Sequence, residues 1–180
     1  LAFGRDYTRP VAETRRLESE TKSPALEHQG HTLLGSPEYR QGSVAVVFGT
    51  LFSTPSRLRK EWETLFYTDA AQAQREYRRQ VDVYHEITDR HPDHFRLIGT
   101  RSDLQALLGL WHQADETPCP TGIVPLMEGA EGITRLDELE TWWQAGVRVI
   151  GPAWAGTRFC GGTREPGPLT VRRPPTTDCD

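Results

Sequence analysis

Apolar positions along this chain repeat with two different periods, and the alternation of the two gives the fold class. In residues 42–54, GSVAVVFGTLFST, Val44 to Phe48 form an unbroken apolar run. Such a run predicts a strand buried on both faces, as in a parallel sheet. Pro55 ends it. Over residues 69–90 the period changes: Ala73, Tyr77, Val81, Tyr84 and Ile87 recur at helical spacing, with Arg75, Glu76, Arg78, Arg79 and Asp82 opposite. This predicts an amphipathic helix of about six turns whose aromatic stripe is core packing. His91-Pro92 stops it, because proline disfavours helix in the residue before.

A short extended piece, residues 95–98, follows. Thr100 or Ser102 then caps a second helix with Leu104, Leu107, Leu108 and Trp111 on one face. The next strand, residues 122–127, ends in Glu128. Beyond it, Thr134 with Asp137 or Glu138 is close to a capping box, Leu136, Leu139, Trp142 and Trp143 supply a buried side, and Gly146 suits a C-terminal cap. Residues 147–150 form the last strand. Residues 1–41 lack an apolar stripe. They read as a long polar connection with at most a helical turn or two near residues 14–18.

The resulting order, strand, helix, helix, strand, helix, strand, predicts an α/β fold with parallel strands and right-handed crossovers. In barrels built this way, function sits at the C-terminal ends of the strands. Three such ends are visible, at residues 50–54, at Glu128-Gly129 and at residues 151–156. No glycine-rich phosphate loop follows a strand, which disfavours a nucleotide-binding fold. The most telling of the three is TGIVPLMEGAEG, residues 121–132, where an apolar run stops abruptly at Glu128 and a glycine. Two readings of Glu128 stand at this point: a functional carboxylate, or the first polar residue of a surface loop.

Composition narrows the function classes. A net charge of −4 shows no nucleic-acid footprint. No apolar run approaches the roughly 20 residues that span a bilayer, and no signal-peptide pattern opens the sequence, so a cytoplasmic location is the expectation. The cysteines, Cys119, Cys160 and Cys179, are far apart and odd in number, which indicates neither a disulfide framework nor a cysteine zinc site. His28 and His31 flank Gly30 in a polar segment and read as loop residues. His85, His91, His94 and His112 lie near helix ends and read as surface or capping residues rather than ligands. The opening at Leu1 and the unpatterned residues 171–180 suggest a piece of something longer.

Several segments, in order, resemble the membrane (renal) dipeptidase family, peptidase family M19. They are Gly42 through Phe48, the Met127-Glu128-Gly129 strand end, and Leu139 through Gly146 to Ile150. Phe3-Gly4-Arg5-Asp6-Tyr7 and residues 154–162, WAGTRFCGG, are similar to bacterial members. The resemblance covers residues 1–170 and implies an incomplete metallo-dipeptidase barrel domain, about strands 2–4 of a (β/α)8 TIM-type barrel, with residues 171–180 as an unrelated tail. It implies a zinc-dependent hydrolase acting on dipeptides or similar small amides. Two metal ions in the complete enzyme would be bridged by Glu128, whose two carboxylate oxygens suit that role. Such a metal pair activates water and polarises the peptide carbonyl. The family's His-x-Asp pair and its later histidines have no counterpart in these residues. The resemblance thus implies weak or absent zinc binding and no turnover by this chain alone. A family histidine that contacts substrate aligns with Trp154, which puts strict dipeptide specificity in question. A non-catalytic α/β interaction or scaffold domain, and another amidohydrolase-like metal hydrolase, are the competing readings. Part of a barrel leaves strand edges open, so self-association is also expected.

Overall fold

The computed structural model describes residues 4–113 and 119–153. In chain order the elements are helices α1 (Val11–Glu20), α2 (Pro24–Gln29) and α3 (Ser36–Gln41), strand β1 (Val46–Leu51), strand β2 (Thr54–Pro55), a short 3-10 turn (Ser56–Leu58) and strand β3 (Phe66–Tyr67). Helix α4 (Ala70–Arg90), strand β4 (Phe95–Leu97), helix α5 (Arg101–Gln113), strand β5 (Thr121–Glu128), helix α6 (Glu138–Gln144) and strand β6 (Val149–Gly151) complete the order.

The principal sheet is parallel, as the alternation of periods predicts. Strand β5 is its centre. Along one edge β1 pairs with it from Val46↔Gly122 to Leu51↔Met127. Its other edge is shared by two short strands in succession. Strand β4 pairs with residues 121–123 and β6 with residues 126–128. Between them the Arg148 backbone N–H donates to the Pro125 carbonyl (3.0 Å), which carries the ladder across the gap. Strands β2 and β3 form a separate two-stranded parallel pair.

Register and alternation sort the side chains onto two faces. Leu51 and Met127, paired across the strands, face α4 and α6. They are fully buried in one cluster with Tyr77, Val81, Trp142 and Val147. The other face carries Phe48 opposite Val124, Thr50 opposite Leu126, and Glu128 at the end. At its base Leu107 of α5 closes in: a Cβ on Gly122 would stand 2.6 Å from Leu107 Cδ2. The predicted double burial of β1 therefore needs correction. Phe48 remains 61% exposed, because only one face of this strand is covered by the described residues.

Helices α4 and α5 match expectation. Asp69 Oδ1 accepts from the Gln72 N–H (2.8 Å) and caps α4. Thr100 is the cap of α5: its Oγ1 accepts from Asp103 N–H (3.1 Å), while Asp103 Oδ2 accepts from the Gly99 (3.0 Å) and Thr100 (2.7 Å) N–H groups. The Thr100 hydroxyl, ahead of these backbone bonds, holds the Asp103 carboxyl below the usual carboxylate range.

Two other segments depart from expectation. Residues 1–41 are not a plain connection but carry three short helices. Polar ties rather than an apolar stripe hold them. Glu38 accepts from the Val11 N–H (3.0 Å) through one oxygen and from the Gly35 N–H (3.0 Å) through the other. Arg15 Nε donates to the Thr32 carbonyl (2.8 Å). Arg5 meets Glu18 at 2.6 Å with both side chains nearly buried. Helix α6 is short, and of its predicted buried side only Trp142 is enclosed. Leu136 is 81% and Trp143 52% exposed. Trp143 instead lies under the Arg148 guanidinium, 3.8 Å from ring centre to Cζ. Gly146 follows α6 in the left-handed region (φ 102°), where a glycine C-cap belongs.

Of the described residues, no helix is long and apolar enough to cross a membrane. The boundary at residue 170, the tail 171–180, Cys160 and Cys179 lie outside the described residues.

Candidate active-site rim at the strand C-termini

Strand β5 is apolar and largely buried through Met127, then presents Glu128 to solvent. The alternation of the strand turns the Glu128 side chain to the face opposite α4. Gly129 then adopts φ 78°, a left-handed conformation that lets the chain leave the strand sharply. The turn is stitched to the neighbouring strand. Gly129 N–H donates to the Gly151 carbonyl (2.8 Å) and Ala130 N–H to the Pro152 carbonyl (3.3 Å). On the other side Phe52 directly follows β1, one residue beyond the Leu51↔Met127 pair, as Glu128 is on β5. Phe52, Glu128 and Gly151 thus form a rim at the C-terminal ends of three parallel strands, the position from which α/β barrels work.

Helix α4 holds this rim from behind. Tyr77 Oη donates to the Glu128 carbonyl (3.2 Å). Gln80 Nε2 donates to the Phe52 carbonyl (2.8 Å), and its Oε1 accepts from the Phe52 N–H (2.9 Å). Tyr84 Oη donates to the Thr50 carbonyl (3.0 Å), deeper in β1. Burial pushes the Tyr77 phenol well above its ordinary value, and Tyr67, Glu131 and Glu128 add to the shift. Burial, with Tyr7 and Tyr39, pushes Tyr84 up to about 12. Both phenols stay protonated donors at neutral pH. Sequence reasoning correctly took the aromatic stripe as core packing, since Tyr77 belongs to the core cluster. It missed what the polar atoms on that stripe do. The available signal was Gln80, an amide placed among apolar positions.

The Glu128 carboxylate makes no side-chain hydrogen bond or ion pair with the described residues. It is exposed at a strand end, with two oxygens open to a ligand. The rest of a donor set is not brought to it. No group of three or more His, Cys, Asp or Glu that could hold a metal occurs among the described residues. Several histidines are engaged elsewhere. His28 stacks on Trp62 at 4.8 Å, His85 Nε2 lies 3.0 Å from the Ala145 carbonyl, and His94 Nδ1 lies 3.0 Å from Ser36 Oγ. Trp154, the candidate substrate contact, lies outside the described residues.

No family model matches the chain, and no curated protein matches it. Solved structures do. The probable dipeptidase PvdM from Pseudomonas aeruginosa superposes with a TM-score of 0.53 at 17% identity, over 68% of this chain and 28% of that one. Dipeptidase AC, a metallopeptidase of family M19, superposes with a TM-score of 0.51 at 22% identity, over 83% of this chain and 41% of that one. At such identities the likeness is one of fold. The chain is α/β with parallel strands, consistent with part of the TIM-type barrel of these dipeptidases, and it spans less than half the length of either structure.

Proposed function

We propose that the chain is part of a zinc-dependent hydrolase of the M19 dipeptidase kind, with Glu128 as the bridging metal ligand and a dipeptide or similar small amide as substrate. The observation that carries this is the placement of Glu128. It is the terminal residue of the central strand, its carboxylate free of side-chain partners among the described residues, in a fold shared with M19 dipeptidases. Hard anionic oxygen suits zinc in catalytic sites. A single carboxylate does not complete such a site, so no catalytic step is assigned to the described residues. The 180 residues alone then bind metal weakly and turn over no dipeptide.

The test is a titration of the 15N-labelled chain with Mn2+, read as paramagnetic broadening of backbone amides. Broadening centred on Gly129, Ala130 and Gly151, and lost in Glu128→Gln, supports the reading. Broadening centred elsewhere, or unchanged in Glu128→Gln, refutes it. Tight stoichiometric binding of two zinc ions would refute the weak-binding part.

A further inference from the structure

We propose that Tyr77 and Gln80 are positioning residues for Glu128, acting through the backbone from the covered face of the sheet. This rests on the reading of Glu128 as a site carboxylate. The carboxylate and α4 lie on opposite faces of β5, so α4 can steer it only through the main chain. It does so at two points. Tyr77 is fully buried, and its hydroxyl reaches the carbonyl of Glu128 itself (3.2 Å). Gln80 is 3% exposed and engages both backbone groups of Phe52, donating at 2.8 Å and accepting at 2.9 Å. Phe52 directly follows β1, one residue beyond the Leu51↔Met127 pair, as Glu128 is on β5. The two anchors sit about one turn apart on one helix, and together they set the height of adjacent strand ends.

Packing alone does not call for these groups. Phenylalanine and methionine would fill the same space, and a buried amide is costly unless bonded. Here the Gln80 amide is bonded chiefly to a strand end, with a further contact to the Glu76 carbonyl (3.1 Å). Tyr84 provides an internal comparison. It makes the same kind of bond from the same helix, but to Thr50, away from the rim.

The experiment compares Tyr77→Phe, Gln80→Met and Tyr84→Phe by amide hydrogen exchange and by the Mn2+ titration. Tyr77→Phe and Gln80→Met are expected to speed exchange at the Gly129 amide, which bonds Gly151, and to weaken Mn2+ binding. The loss of Mn2+ affinity is about tenfold, the low end for groups that orient a metal ligand, and exchange at Gly129 rises by about the same factor, the worth of one hydrogen bond. Tyr84→Phe leaves both unchanged. Unaltered exchange at Gly129 in Tyr77→Phe and Gln80→Met overturns the proposal, whatever the metal result. So does an equal effect in Tyr84→Phe, which would show only general loosening of the helix. If one of the two variants fails to fold, the other decides. A Glu128→Gln variant that leaves the Mn2+ signal intact refutes the site reading separately, because the exchange measurement needs no metal.

Discussion

Gly132 lies just past the rim, and replacing it with alanine tests how closely the loop after β5 approaches α4. A Cβ there would stand 2.8 Å from Tyr77 Cδ2, 3.0 Å from Gln74 Cα and 3.1 Å from Gln74 N. Carbon atoms in good contact sit about 3.5–4.0 Å apart, so the neighbours must retreat by about half an ångström or more. Two of the three atoms belong to the helix backbone and cannot rotate aside. The third belongs to the ring whose hydroxyl holds the Glu128 carbonyl. Overpacking of this kind costs about 1–3 kcal/mol. Gly109, inside α5, is the counterpart: a Cβ there meets nothing within 4 Å. Gly109→Ala should stabilise by about 0.5–1 kcal/mol, because alanine restricts the unfolded chain and favours helix. Urea unfolding of the two variants should give opposite signs, and in thermal melts each kcal/mol moves the midpoint by about 2–4 °C. A Gly132→Ala protein within about 0.5 kcal/mol of the parent would refute the close approach.

Glu18→Ala removes the partner of Arg5 in a pair whose side chains are 11% and 9% exposed. It should cost about 3 kcal/mol, the low end for a broken buried pair, because Arg5 Nη2 keeps its bond to the Gly30 carbonyl (2.6 Å). A urea midpoint shift worth less than about 1 kcal/mol would class the pair with exposed ones. His94 is held below its ordinary value of 6.5, by burial first and by Arg40 and His91 next. The fold therefore favours the neutral ring. Its contribution to stability is complete above the unfolded value and is lost as pH falls from there through the folded value. Melting temperature measured from about pH 8 to 5 should show this limb, and His94→Asn should flatten it. An identical limb in the variant would remove His94 as its source.

The elements read best from sequence are those whose burial follows one clean period. Helix α4 is apolar at Ala73, Tyr77 and Val81, and all three are buried. Strand β5 is apolar to its last position, and the break at Glu128 marks the rim. Where polar bonds replace apolar burial, periodicity is silent. Helices α1 to α3 have no stripe. Their sequence signals were Ser23-Pro24 and Ser36-Pro37-Glu38, which place proline at the first helical turn and a glutamate where it can cap. The failure at α6 has another cause. The spacing of Leu136, Leu139 and Trp143 suits a buried face, but the helix begins only at Glu138, and Trp143 pairs with Arg148 instead. For the rim, the carboxylate was visible in the sequence. The bonds from Tyr77 and Gln80 were not, because they depend on which backbone groups a helix meets across the fold.

The shared edge of β5 divides this sheet into two storeys with separate tenants. Near its start β5 is flanked by β4, and near its end by β6. Arg148 is the landing between them: it donates to the Gly99 carbonyl (2.5 Å) on one side and to the Trp143 (2.6 Å) and Val147 (2.9 Å) carbonyls on the other. Gly99, in the segment from β4 into α5, is thereby tied to the storey above: a Cβ there would stand 3.2 Å from Arg148 Nη2. The floor of this fold and the strand beside Glu128 therefore share one contact, and a side chain added at Gly99 would press on it.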